Sequence, residues 1–592
     1  MTLRRLGPAI AGLVFVLPLS AAEPADPLAL IPPKAIAVAQ VNGVERVQER
    51  LDKLLKTAVP DKSDEVSKAV RDALAEALQG RDTKVLRPDG RLLVAISDLE
   101  KLPDDATLTI LFPVKSADDF KKGFLTDDER KSLAKDGDLE TVKLEDRAEP
   151  FFLVPLSGYV AASTDKEIAT KYAKGEIGGV AGHLSKETAA AFLESDISLF
   201  VNVREVNARY GTQLKTYKSL ADLFLKGDAV QGVNKAQMDQ LKVVLDATFQ
   251  VLEDGTAAVL GVQFRSDGFA LKGMAQLGEK TDSNDALKKH KLAPLNQIGT
   301  LPAGQVSYSA SVMGQGMSNS AAFLLGDFAI SDDDPAAKET IAGLLRDLSG
   351  LDRGVTLAAG RVFGPGGLEV TESKDAVKIV AARLDLLRAV TKTGSFAHVP
   401  LKEKPEIQEK AQTIGGFTLH AVKVKFDFDK AVSELDEGAK EAARTSMRKA
   451  LGGDELSMWF GTDGKRLMQL TAKDWSEAKA LAESHLDGSR ALEKSDAYQF
   501  TRKQLPKDVT MLVMLDAAQT VYSLFNLAGD TPGLLPGLPV PMPDNTKPAG
   551  KPAYIGIALV LKPEHGSFEL FVPATAVGQI QKLVQPLLDK NE

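Results

Sequence analysis

Residues 306–312 read VSYSASV, and this stretch decides the fold class. Val306, Tyr308, Ala310 and Val312 fall on one side of an extended chain, and Ser307, Ser309 and Ser311 on the other. Strict period-two alternation predicts a strand with one face buried and one wet, as in antiparallel or mixed sheets. The pattern recurs at 197–203, where Ile197, Leu199, Val201 and Val203 oppose Ser198, Phe200 and Asn202. At 422–428, Val422, Val424, Phe426 and Phe428 oppose Lys423, Lys425 and Asp427. At 509–515, Val509, Met511, Val513 and Leu515 share a side, and the opposite side is less polar than in the other strands. The strand at 36–41 is apolar on both sides. Ile31-Pro32, Leu301-Pro302 and Leu505-Pro506 precede three of these strands, where the missing proline N–H costs no ladder bond.

Each strand leads into a helical stretch. Val44, Val47, Leu51 and Leu54 recur at helical spacing, continued by Val66, Val70, Leu74 and Leu78. The later counterparts are 205–226 with 234–252, 335–348, 429–451 and 517–528. Hairpins follow, turning at Ser266-Asp267-Gly268, Gly364-Pro365-Gly366-Gly367, Thr462-Asp463-Gly464 and Glu564-His565-Gly566. Helix starts are expected at Ser116, Ser373 and Thr471, with a capping box of Thr164 and Glu167. The reading is an α+β fold of repeated strand-helix-hairpin-helix units, with antiparallel or mixed sheets and helices packed on one face. Its expected divisions are a signal peptide at 1–22, a unit with a partial unit at 23–190, and units at 191–298, 299–400, 401–495 and 496–592.

The N-terminus gives a compartment. Arg4 and Arg5 precede an apolar run from Ala9 to Leu17, and Ser20-Ala21-Ala22 supplies small residues for cleavage before Glu23. The expectation is export, to a periplasmic or extracellular location. No later segment reads as a transmembrane helix. The chain has no cysteine, so no disulfide holds it and its stability rests on core burial. Net charge is −8, or −10 without Arg4 and Arg5. That balance argues against nucleic acid and anionic lipid surfaces as electrostatic partners.

No catalytic constellation emerges. The six histidines (His183, His290, His398, His420, His485 and His565) show no zinc-protease pairing. Gly314-Gln315-Gly316 lacks the third glycine of a dinucleotide fingerprint, with Asn319 in its place. Asp332-Asp333-Asp334 and Asp136-Gly137-Asp138 do not have EF-hand spacing, and Asp334 before Pro335 reads as a helix start. The sequence therefore assigns no catalytic residue, no metal and no cofactor. One segment stands out: Gly529 to Pro552 carries seven prolines in 24 residues, yet Leu534, Leu535, Leu538, Val540 and Met542 are apolar. These five are the candidate contacts for an apolar ligand or partner.

The signal, the Leu-Pro openings before strands and the absence of cysteine resemble large exported bacterial envelope proteins of unknown function. That resemblance implies an envelope location and transfers no functional residue. The expected function is a non-catalytic binding or scaffold protein with an envelope protein as partner. The alternatives are a carrier of a lipid or other apolar ligand, with 529–552 as a lid, and an envelope hydrolase with a dispersed carboxylate or histidine site.

Overall fold

The computed structural model describes residues 26–77, 81–98, 107–144, 149–226, 235–312, 335–351, 353–361, 366–392, 394–396, 399–433, 435, 437–529, 548 and 550–588. Two compact units emerge: residues up to Ala35 with Arg81–Gly182, and Ile36–Gly80 with His183–Glu592. Both mix helices with antiparallel strands.

In the first unit, six strands pair antiparallel in the order Arg91–Ile96, Leu108–Pro113, Tyr159–Ser163, Phe151–Leu156, Leu139–Val142, Ala134–Asp136. Helix Lys166–Lys174 is capped by Asp165, whose carboxylate accepts from Glu167 and Ile168 N–H, and it ends on left-handed Gly175. Thr164, the expected cap, instead accepts from Leu108 N–H and ties the helix start to the sheet. The capping box that does form is Thr126 with Glu129.

The second unit holds β1 (Ala37–Asn42), β2 (Ile197–Val201), β3 (Gly255–Arg265), β4 (Gly268–Leu277), β5 (Ser307–Val312), β6 (Val355–Gly360), β7 (Gly367–Glu372), β8 (Glu406–Ile414), β9 (Phe417–Lys425), β10 (Glu455–Thr462), β11 (Arg466–Ala472), β12 (Met511–Asp516), β13 (Tyr554–Lys562) and β14 (His565–Pro573). Antiparallel pairing orders these fourteen strands β1-β2-β3-β4-β14-β13-β12-β5-β6-β7-β11-β10-β9-β8. Its helices include α1 (Val44–Ala58), α2 (Lys186–Glu194), α3 (Val203–Lys226), α4 (Lys235–Asp254), α5 (Pro335–Gly350), α6 (Ala376–Lys392), α7 (Glu437–Leu451), α8 (Trp475–Asp487), α9 (Asp496–Gln504), α10 (Ala517–Gly529) and α11 (Ala574–Leu588).

One face of this sheet is the main core. In register across it lie Ala270, Phe571, Met514, Tyr308, Ala359, Leu368, Leu470 and Trp459, all buried. Ala478 and Ala482 of α8 and Tyr498 of α9 pack against this face. Tyr308 and Tyr554 meet edge-on at 5.7 Å, and Tyr308 Oη accepts from Gln305 N–H. The cap of α8 is Asp474 rather than Thr471, because the carboxylate reaches Glu477 N–H while Thr471 is still in β11.

Helices also cover parts of the opposite face, which corrects the expectation of helices on one face only. Ile379, Val380 and Leu384 of α6 bury Val422, Val424, Phe460 and Leu467. Leu54 and Ala58 of α1 and Ala574 of α11 pack on Phe264 and Phe269. A sheet this wide offers two apolar faces, and one layer of helices cannot cover both.

Candidate functional site

Strand β2 inverts the sequence expectation. Ser198 and Phe200 are 3% and 1% exposed, whereas Ile197 and Leu199 are each 42% exposed. The cause lies in α2, whose last carbonyls point at the sheet. Ser198 Oγ donates to Phe192 O at 2.8 Å, and Gln40 Nε2 donates to Phe192 O at 3.1 Å and Ser195 O at 3.4 Å. A helix C-terminus leaves carbonyls without partners, and burying them without donors is costly. The polar side of β2 therefore turns inward to supply donors, and its apolar side turns outward.

The outward side continues across neighbouring strands. Leu199 pairs with Leu260, Leu260 with Gly273, and Gly273 with Phe568. Leu260 is 44% and Phe568 40% exposed. A Cβ on Gly273 would lie 2.1 Å from the Phe568 ring, so glycine here lets the ring lie flat across β4. One row over, Ile197, Val262, Leu271, Leu570, Ile557 and Val513 align in register. Five of these are half-buried and Ile197 is exposed. Strand β12 shows the same inversion: Leu512 and Met514 are fully buried, and Met511 and Val513 are half-exposed.

Beyond Val513 the same face turns polar. Ser309 pairs with Val513, Ala358 with Ser309, Glu369 with Ala358 and Gln469 with Glu369. With Ser307, Gly360, Gly367 and Thr471 these residues line a trough of about 390 Å³. Its floor is low because Ser, Ala and Gly stand where strands usually carry branched side chains. Arg383 on α6 donates from Nη1 to Gln469 Oε1 at 2.9 Å and from Nη2 to Glu369 at 3.4 Å. Arg353, just before β6, is held with its Nε buried and without a hydrogen-bond partner among the described residues. Burial, then the Arg383 charge, lowers its pKa, against the opposing pull of Glu369.

The candidate contacts Leu534, Leu535, Leu538, Val540 and Met542 lie outside the described residues, as do Gly314, Asp332 and His398. The remaining histidines are dispersed. His565 Nε2 lies 2.8 Å from Ser185 Oγ, the spacing of a base and a nucleophile. Ser185, however, is the cap of α2: it accepts from Thr188 N–H and contacts Thr188 Oγ1, which donates to Gln276. The other ring nitrogen of His565 faces the Pro563 carbonyl at 3.4 Å, and no carboxylate orients it. The geometry is that of a buried capping network. Among the described residues no cluster of three or more His, Asp or Glu is placed to hold a metal ion, and no helix is long and apolar enough to cross a membrane.

Sequence reasoning missed Ile197, Leu199, Leu260 and Phe568 as surface residues. The available signal was glycine within strands, at Gly273, Gly360 and Gly367, which marks close approach or an open floor. Searches against family models, curated proteins and solved structures find no match to this chain.

Proposed function

We propose that this chain is a non-catalytic binding protein whose ligand surface is the open apolar face of the fourteen-stranded sheet. The observation that carries the reading is the exposure of Ile197, Leu199, Leu260 and Phe568 on β2, β3 and β14, with Gly273 of β4 in register between Leu260 and Phe568. Exposed apolar groups cost free energy in water, and a contiguous set of them marks a surface that meets something apolar. The carrier reading thus moves ahead of the scaffold reading. The scaffold reading draws on a different surface, the exposed Tyr217, Leu220 and Leu223 on α3.

The topology supports an internal repeat as part of the same proposal. Four segments share an opening strand, helical stretch and hairpin: β2 to β4, β5 to β7, β9 to β11, and β12 to β14. In each, the opening strand pairs with the first hairpin strand. Repetition widens the sheet until its centre outruns its helices. The reading of residues 1–22 as an export signal supports a location in the cell envelope, where lipids and other apolar molecules are carried.

Native mass spectrometry of the protein purified from its own source tests this. The expected result is a noncovalent small molecule that is lost from a Leu199→Asn, Leu260→Asn double variant. A bare chain, or an adduct unaffected by the double variant, contradicts the reading.

A further inference from the structure

Strand β8 ends the fourteen-stranded sheet: among the described residues it pairs with β9 alone. Such an edge presents unpaired backbone groups to any further strand, and proteins blunt edges with charges and bulges. Strand β8 has both. Glu406, Glu409 and Lys410 are exposed. Between the pairs Gln408–Ala421 and Gln412–Leu419, the residues Glu409, Lys410 and Ala411 of β8 stand opposite His420 alone on β9.

Lys410 takes the left-handed conformation, with φ of 52°, which strains a residue that has a Cβ. A side chain of the neighbouring strand meets it there: Lys410 N–H donates to His420 Nδ1 at 3.3 Å. A backbone N–H can only donate, so Nδ1 carries no proton and the ring's own proton sits on Nε2. His420 is 8% exposed and lies against the Phe460 ring at 5.8 Å. The charges that face it are Glu409 and Lys410 on β8 and Arg388 on α6, and Arg388 is paired with Glu409. Burial, with Lys410 and Arg388, holds the His420 pKa below its ordinary value against the pull of Glu409.

We propose that His420 is a pH-sensitive latch on this edge: its neutral ring pins the β8 bulge, and a proton on Nδ1 releases it. A protonated Nδ1 sets two donors face to face, so the bond from Lys410 N–H breaks and the left-handed residue loses its support. One proton is taken up from solvent for each latch that opens. The latched form excludes that proton, and the open form takes it up with the ordinary histidine pKa of about 6.5. The bulge is therefore fixed above that value, and each pH unit below it favours the open form about tenfold.

Hydrogen exchange of the full chain, read by mass spectrometry and referred to the unfolded chain at each pH, tests the latch. Protection of Glu406–Ile414 should fall about tenfold between about pH 7.5 and about pH 5.5, while that of Val422, Val424 and Phe426, buried under α6, stays unchanged. His420→Asn keeps an acceptor near the position of Nδ1 and does not titrate, so protection should persist at both pH values. His420→Phe removes the acceptor without adding charge, so the strand should exchange fast at both, with Val424 reporting an intact fold. Protection of β8 that is independent of pH in the unaltered chain, or an acid loss that persists in His420→Asn, overturns the latch.

Discussion

Asp196 is fully buried, and its two oxygens accept from Arg50 Nη1 at 2.6 Å and from Phe264 N–H at 2.7 Å. It joins α1, the start of β2 and the end of β3. Asp196→Ala strands a guanidinium and a backbone donor, and should cost about 3–5 kcal/mol in denaturant unfolding. In the first unit, Arg81 grips Glu129 with two hydrogen bonds of 2.6 Å. Burial alone would raise the Glu129 pKa, but the Arg81 bonds and the Thr126 N–H outweigh it, and the pKa is lowered. A carboxyl with a folded pKa below its unfolded value contributes stability above about pH 4.3, lost as pH falls through the folded value. Unfolding of this unit should show that acid loss, and Glu129→Gln should remove the dependence while lowering stability at neutral pH. Neither pairing was legible in the sequence, since Asp196 and Arg50 stand far apart in the chain and only the fold joins them.

At the scale of the element, alternation showed that β2, β5 and β9 have two unlike sides. For β5 and β9 the apolar side is the buried one, with Tyr308, Ala310, Val422 and Val424 inside. For β2 it is not, because the side that goes inward is chosen by what α2 brings to it. A pattern of apolar and polar residues ranks the sides by hydrophobicity but cannot count the helix carbonyls awaiting donors. Hairpins at Asp267-Gly268 and Asp463-Gly464 were legible because their turn chemistry is local. The trough was not, because it assembles from β5, the β6–β7 hairpin, β11 and β12, which lie apart in the chain. The inversion has a mutational signature. Leu199→Asn and Leu260→Asn should each leave stability within about 0.5 kcal/mol. Phe200→Asn, which buries an amide where a ring packs on Phe192 at 6.0 Å, should cost about 3 kcal/mol or more, read by chemical denaturation.

At the scale of the molecule, the second unit's sheet is joined by three seams between segments: β4 with β14, β12 with β5, and β7 with β11. Each seam is a full ladder, so hydrogen exchange should place seam amides in the same slow class as amides within the hairpins. Faster exchange at the seams would mean that the segments open independently. Helices reach the open face over Phe264 and Phe269, over Ile555 and Leu570, and over Val422 and Phe460, and leave Ile197, Leu199, Leu260 and Phe568 exposed.

The open face is the central claim, and the absence of native cysteine allows a direct test. Single cysteines at Leu199, Leu260 and Ser198 would be reacted with a maleimide in the native protein. Leu199→Cys and Leu260→Cys should label at rates near those of the unfolded chain, and Ser198→Cys at least tenfold more slowly. Rapid labelling at Ser198 with protection at Leu199 would show that the sheet buries its apolar side, and would contradict the account.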